Sequence, residues 1–167
     1  MTRTLIPRPL TAEAFAPYGE VIEAAAAARQ AIPINYGATM RFHDLARIDV
    51  AEGGGEPCVS IFRSQPLPQP IEIKLMERHP LGSQAFIPFG GRPYLVVVAP
   101  PGELDPDRIE AFLAQPHQGV NYAKGTWHHY SLALEGESDF LVIDRQGPGD
   151  NLDEVELAPE QRWTIAL

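Results

Sequence analysis

Cysteine is nearly absent from this sequence: Cys58 is the only one in 167 residues. No intramolecular disulfide can form, and no zinc site built on several thiolates can be assembled. A reducing compartment is therefore the natural home, with Cys58 expected to be a small core residue. Long apolar runs are missing as well. The longest, Tyr94 to Ala99, falls far short of the roughly 20 residues that cross a bilayer. The opening residues, MTRTLIPRPL, lack the apolar stretch of a secretory signal, so the expected location is soluble and cytoplasmic. Clusters of Lys or Arg are absent too. Thirteen basic residues stand against 22 acidic ones, giving a formal net charge of -9 and a pI near 4.9. That balance argues against nucleic acid and anionic membranes as partners and leaves a small polar substrate as the easier ligand.

What is present points to one globular domain over residues 1–167, with 44% hydrophobic composition and enough chain to bury a real core. Seventeen prolines and 14 glycines are spread along the length, as expected for short strands joined by many turns in an all-β barrel or sandwich. Strands are expected at Glu20 to Ile22, around Met40 and Phe42, at Val59 to Arg63, Pro93 to Ala99, Gly119 onward, Trp127 to Leu134 and Phe140 to Ile143. Val155 to Leu167 is expected to add an edge strand. Thr11 can cap a helical turn that Pro17 and Gly19 end, and Glu23 to Arg29 has high helix propensity without an apolar stripe. Asp105-Pro106 reads as the cap of a helix carrying Ile109, Phe112 and Leu113 up to Pro116, packed outside the sheet.

The stretch Lys74 to Gly91, KLMERHPLGSQAFIPFGG, places titratable groups where a strand's core side should be. Ile71, Ile73 and Leu75 alternate with polar neighbours, and Glu77 and His79 continue the same odd face. The chain turns at His79-Pro80-Leu81-Gly82-Ser83, and Gln84 and Phe86 re-enter on one face of a second strand, so a hairpin is predicted with a Glu, a His and a Gln converging inside it. Such groups are costly to bury unless they are paired or ligate a metal. The alternative is a solvated strand end. A second concentration of chemistry is Asn121 to Tyr130, NYAKGTWHHY. Neighbours on a strand face opposite ways, so His128, sharing parity with Tyr130 and Leu132, is placed inward, and His129 and Trp127 on the opposite face.

Glu77-x-His79, four residues, Gln84, six residues, Gly91, together with Ala123-x-Gly125-x-x-His128, keeps the spacing of the two cupin motifs. In those motifs the corresponding residues are His-x-His, Glu and Gly, then Pro-x-Gly-x-x-His around one metal. Glu77, Gln84 and Ala123 are departures in residue type. The resemblance implies a cupin-type β-barrel of jelly-roll form with a few short peripheral helices. Over longer phrases, ERHPLGSQAFIPFGG, YLVVVAP, IEAFLAQPHQGVNY, the WHH stretch and DFLVIDR, the chain resembles the ureidoglycolate lyase family. That resemblance implies cleavage of (S)-ureidoglycolate to glyoxylate and urea in allantoin breakdown, a homodimer, and an association with nickel.

The substrate's chemistry can be set against these residues. Ureidoglycolate carries a hydroxyl, a carboxylate and a urea nitrogen on one carbon, so removal of the hydroxyl proton lets the carbonyl form and urea depart. The site needs a base or metal for the hydroxyl, a cation for the carboxylate and an acid for the leaving nitrogen. Glu77, His79, Gln84 and His128 are the candidate ligands of a divalent ion, a mixed imidazole and oxygen set of the kind nickel accepts. Fewer imidazoles than a full cupin set imply loose metal retention on purification, in which case Glu77 or His79 is the base directly. Lys124 is the first candidate for the carboxylate, followed by Arg63 and Arg41. Ureidoglycolate hydrolysis with ammonia release, another small hydroxy-acid cupin enzyme and a non-catalytic binding cupin stay open as alternatives.

Overall fold

The computed structural model describes residues 3–25 and 31–167. Most of the expected helix at Glu23 to Arg29 lies outside these residues, and 23–25 are not helical. Two larger sheets face one another in a cupin-type β-barrel. The five-stranded sheet runs Gly19–Ile22, Gly119–Tyr122, Gln84–Pro88, Ser138–Gln146, Glu56–Ser64. The other runs Asp153–Glu156, Leu75–Arg78, Trp127–His128, Tyr94–Ala99, Glu110–Ala114, Arg8–Pro9, with Leu132–Ala133 also pairing along Tyr94–Ala99. A three-stranded sheet of Arg3–Leu5, Trp163–Ile165 and Glu72–Ile73 adds a further layer, and Ala31–Ile34 with Thr39–Phe42 forms a separate hairpin.

Tyr94–Ala99 is buried along its whole length because the strand has core on both faces. Tyr94, Val96 and Val98 join Phe15, Phe86, Phe112, Tyr122 and Phe140 inside the barrel. Leu95, Val97 and Ala99 join Ile71, Ile73, Met76, Trp127 and Ile165 on the outer side. The helix expected after Asp105 is corrected by the same arrangement. Asp105 does cap, its side chain accepting from the Asp107 amide at 2.9 Å, but the helical segment is one 3-10 turn over Pro106–Arg108. Glu110–Ala114 is instead a strand pairing Tyr94–Ala99 antiparallel. Ile109 and Ala111 fill the outer core while Phe112 and Ala114 fill the inner one. A strand buried on both faces is a continuous apolar run, which periodicity does not separate from a helix.

The short helix Ala12–Phe15 forms as expected, with Thr11 Oγ1 accepting from Ala14 N at 3.1 Å and Phe15 delivered fully buried into the inner core. The predicted hairpin at 75–88 is a different object. Leu75–Arg78 and Gln84–Pro88 do not pair; each belongs to a different sheet, so residues 79–83 arch from one to the other. The arch is tied by Leu81 N donating to Asn151 Oδ1 at 2.8 Å and Ser83 N donating to the Asp49 carbonyl at 2.9 Å. The odd-face argument also changes. Lys74 lies between two short strands, and Ile71 and Ile73 share the outer core with Met76 rather than a face with Glu77.

Candidate metal and active site

The arch is what assembles the site. Its first end carries Glu77 and His79 from one sheet, its second end carries Gln84 on the facing sheet, and His128 lies directly across the ladder from Glu77. The strand holding His128 is set by the turn at Gly125, whose φ of +81° suits a residue without Cβ and whose amide donates to the His79 carbonyl at 3.0 Å. Glu77, His79 and His128 each bring one donor atom to within 4.8 Å of the other two.

His79 is held at both ring nitrogens. Nδ1 lies 2.8 Å from the Asn151 carbonyl and Nε2 lies 3.2 Å from Gln84 Oε1. The Gln84 amide in turn donates to Asp144 Oδ2 at 3.1 Å, so a chain of contacts runs from Asp144 through Gln84 and His79 to Asn151. His128 is 1% exposed, and its Nδ1 donates to the His129 carbonyl at 3.1 Å. With its one proton there, Nε2 presents a lone pair, yet that atom is buried without a hydrogen-bond partner among the described residues. Burial first, and then His79 nearby, push the His128 pKa down to about 3, so the ring is neutral. Burial pushes the Glu77 carboxyl up, His79 opposes that rise, and Glu154, its partner in the adjacent strand, adds to it.

These features fit a divalent ion. A buried imidazole nitrogen with a free lone pair costs stability unless something accepts it, and the same ring clusters with a second imidazole and a carboxylate, Glu77 Oε1 lying 3.7 Å from His128 Nδ1. Two nitrogens and an oxygen are donors that a first-row divalent metal accepts, His79 Nε2 exchanging its contact with Gln84 Oε1 for the ion. Gln84 sits beside this set through His79 rather than within the three-residue cluster.

Each of the three predicted cations has its own surroundings, and none bonds to the cluster among the described residues. Lys124 pairs with Glu52 and lies 3.8 Å from Asp49, and its hydrogen bond to Glu52 holds its pKa above the ordinary lysine value. Arg63 grips Asp139 through two bonds of 2.8 and 2.9 Å and is exposed. Asp139 and Asp144 are five residues apart on one strand, roughly 17 Å at strand rise, so Arg63 is remote from the site. Arg41 is exposed on the separate hairpin. Among the described residues no ion pair or hydrogen bond links any of the three to Glu77, His79 or His128. His129 is buried outside the cluster, its Nδ1 3.1 Å from the Tyr130 carbonyl, and burial lowers its pKa to about 4.

Sequence reasoning missed Asn151 and Tyr122. The Tyr122 ring stacks on His128, with centroids 4.2 Å apart and planes 6° from parallel. No local pattern marks Tyr122, because its place in the site comes from a strand register that pairs it with Gln84.

Residues 2–166 match the family profile described as ureidoglycolate lyase. A protein of Burkholderia mallei named ureidoglycolate lyase is 58% identical over 161 residues, covering 96% of this chain and 93% of the relative. Its namesake in Burkholderia cepacia is 58% identical over 157 residues, 93% of this chain and 86% of the relative. One from Brucella anthropi is 54% identical over 151 residues, 90% and 88% of the two chains.

Proposed function

The chain belongs to the ureidoglycolate lyase family, and from that premise we propose that it cleaves (S)-ureidoglycolate to glyoxylate and urea in allantoin degradation. The observation that carries the assignment of the site is the buried convergence of Glu77, His79 and His128, with a free lone pair on His128 Nε2. With no metal bound, Glu77, a carboxylate made more basic by burial, takes the proton of the substrate hydroxyl. As the carbonyl forms, the carbon–nitrogen bond breaks, its electron pair leaves with the ureido nitrogen, and the same proton passes from Glu77 to that nitrogen. His79, fixed by Asn151 and Gln84, keeps its ring oriented toward the reacting hydroxyl. A divalent ion held by Glu77, His79 and His128, nickel on family grounds, would supply Lewis-acid polarisation of that hydroxyl. Lys124 receives the substrate carboxylate by exchanging it for Glu52.

The protein acts as a cytoplasmic homodimer on this reading. Support comes from the outer face of the five-stranded sheet, where Val59 and Ile61 are 66% and 54% exposed beside half-buried Leu141, Ile143 and Ile87. A contiguous apolar sheet face of that kind is the usual mark of an interface. No helix among the described residues is long and apolar enough to cross a membrane.

The test is product analysis with racemic ureidoglycolate, corrected for spontaneous decay, with and without chelator and added nickel. Enantioselective release of urea and glyoxylate, suppressed by chelator and restored by nickel, is expected. Ammonia in place of urea would assign hydrolysis, and no acceleration over the blank would remove the catalytic reading.

A further inference from the structure

Tyr122 is the one phenol inside the barrel that sits against the site, and its hydroxyl has no hydrogen-bond partner among the described residues. Tyr94, another tyrosine of this inner core at a similar depth of burial, donates its hydroxyl to the Gln118 carbonyl at 2.7 Å. The Tyr122 oxygen is not one of the fully buried polar atoms left unpaired, which among the described residues are Asn121 Oδ1 and His128 Nε2, so it keeps some access from outside the core. Tyr122 is 6% exposed and is packed by Phe15 and Phe86, with ring centroids 6.2 and 5.9 Å away, so the ring is not free to swing out to solvent.

Its position is set from two directions. Across the ladder Tyr122 pairs with Gln84, the residue that holds His79, and its ring lies flat on His128 at 4.2 Å. It therefore touches or neighbours both histidines of the cluster. A phenol hydroxyl carries one O–H donor, and this one is committed to no acceptor among the described residues. The reaction has one need that the residues already assigned do not meet. When the carbon–nitrogen bond breaks, negative charge develops on the departing ureido group and spreads by resonance onto its carbonyl oxygen. Glu77 and its proton serve the nitrogen. Nothing yet serves the oxygen.

We propose that Tyr122 is a catalytic residue whose hydroxyl donates a hydrogen bond to the ureido carbonyl oxygen as urea leaves, while its ring fixes the plane of His128. This rests on the lyase reading above. No proton changes hands at Tyr122; the hydroxyl stabilises charge that is greater in the transition state than in the bound substrate, so its effect falls on kcat.

The experiment compares the wild-type protein with Tyr122→Phe and Tyr122→Leu, measuring kcat and KM for urea release together with thermal unfolding and nickel affinity. Tyr122→Phe keeps the ring and removes only an oxygen that has no partner among the described residues, so folding and nickel affinity are expected to match wild type. Its kcat is expected to fall about 100-fold, in the range for loss of one oxyanion donor, with KM within about threefold. Tyr122→Leu also loses the stack and is expected to lower nickel affinity as well. A Tyr122→Phe protein with kcat within about threefold of an active wild type overturns the proposal alone. A loss that falls on KM overturns the transition-state role. An inactive wild type removes the lyase reading and this proposal with it. Should Tyr122→Phe unfold, binding to wild type of oxalurate, a stable analogue with the same ureido oxygen, gives an independent measurement. The tyrosine ultraviolet difference band must then appear on binding and be missing in Tyr122→Leu, and its absence from wild type overturns the proposal.

Discussion

Acidifying the metal-free protein from about pH 7 to about pH 5 probes the two consecutive buried histidines directly. His128 and His129 enter the fold neutral, with pKa values pushed from 6.5 down to about 3 and about 4 by burial. In the unfolded chain both bind a proton near pH 6.5, so between the folded and unfolded values the unfolded state holds more protons. Stability is therefore fully present above about pH 6.5 and is lost as the pH falls. Each ring that stays neutral in the fold at about pH 5 costs about 2 kcal/mol there, or about 4 kcal/mol for the pair. Glu77 has the opposite sign. Its raised carboxyl takes a proton in the folded state first, which returns part of that loss as the pH falls through its range. Against a typical domain stability of about 5–15 kcal/mol, the net effect is large. The assay is urea unfolding at the two pH values with chelator present, since metal on His128 would add its own competition with protons. His129→Gln, which removes one titrating ring, should lose about half as much as wild type over the same interval. Equal losses in the two proteins would refute the reasoning, as would proton resonances of both rings titrating near pH 6.5.

The remaining predictions concern turnover. His128→Ala should lower kcat by about 100-fold or more because it removes the buried lone pair of the cluster, whereas His129→Ala, outside the cluster, should cost stability and leave kcat within about threefold; steady-state urea release by both variants checks the order. Lys124→Met should raise KM by about tenfold with little change in kcat, and Glu52→Gln, which releases Lys124 from its partner, should lower KM. The pair is measured as KM against substrate concentration at fixed ionic strength.

How much of this was legible in the residues depends on whether local or distant contacts decide the outcome. Thr11 capping, the strands at Val59 to Arg63 and Phe140 to Ile143, and the all-β class follow from local preference and turn residues, and all appear in the structure. Ile109 to Ala114 failed for the reason that makes the fold stable: a third layer covers the outer face of the strand, so both parities are apolar and the alternation that marks a strand is erased. The site residues Glu77 and His79 were found by carrying the odd face forward from Ile71, yet the break at Lys74 resets that parity. The clustering of Glu77, His79 and His128 in the structure agrees with the motif spacing and not with the face argument.

The same distinction explains what the sequence concealed at the site itself. Motif spacing identifies residues that an arch and a turn bring together, because arch length and strand register are short-range quantities. It says nothing about groups delivered by separate strands and loops. Asn151 reaches His79 from more than 70 residues away and also pins Leu81, so one loop residue fixes both the arch and the imidazole it carries. Asp144 reaches Gln84 from the next strand of the sheet, and Tyr122 reaches His128 across the barrel interior. These three are the groups that orient the cluster. Two imidazoles and a carboxylate at the end of an arch would otherwise be free to turn outward to water, which the cost of burying them favours. The departures from the full cupin ligand set are therefore offset by orientation: Gln84 stands where the motif has Glu, and its amide links His79 to Asp144 in a way a carboxylate facing a second carboxylate could not.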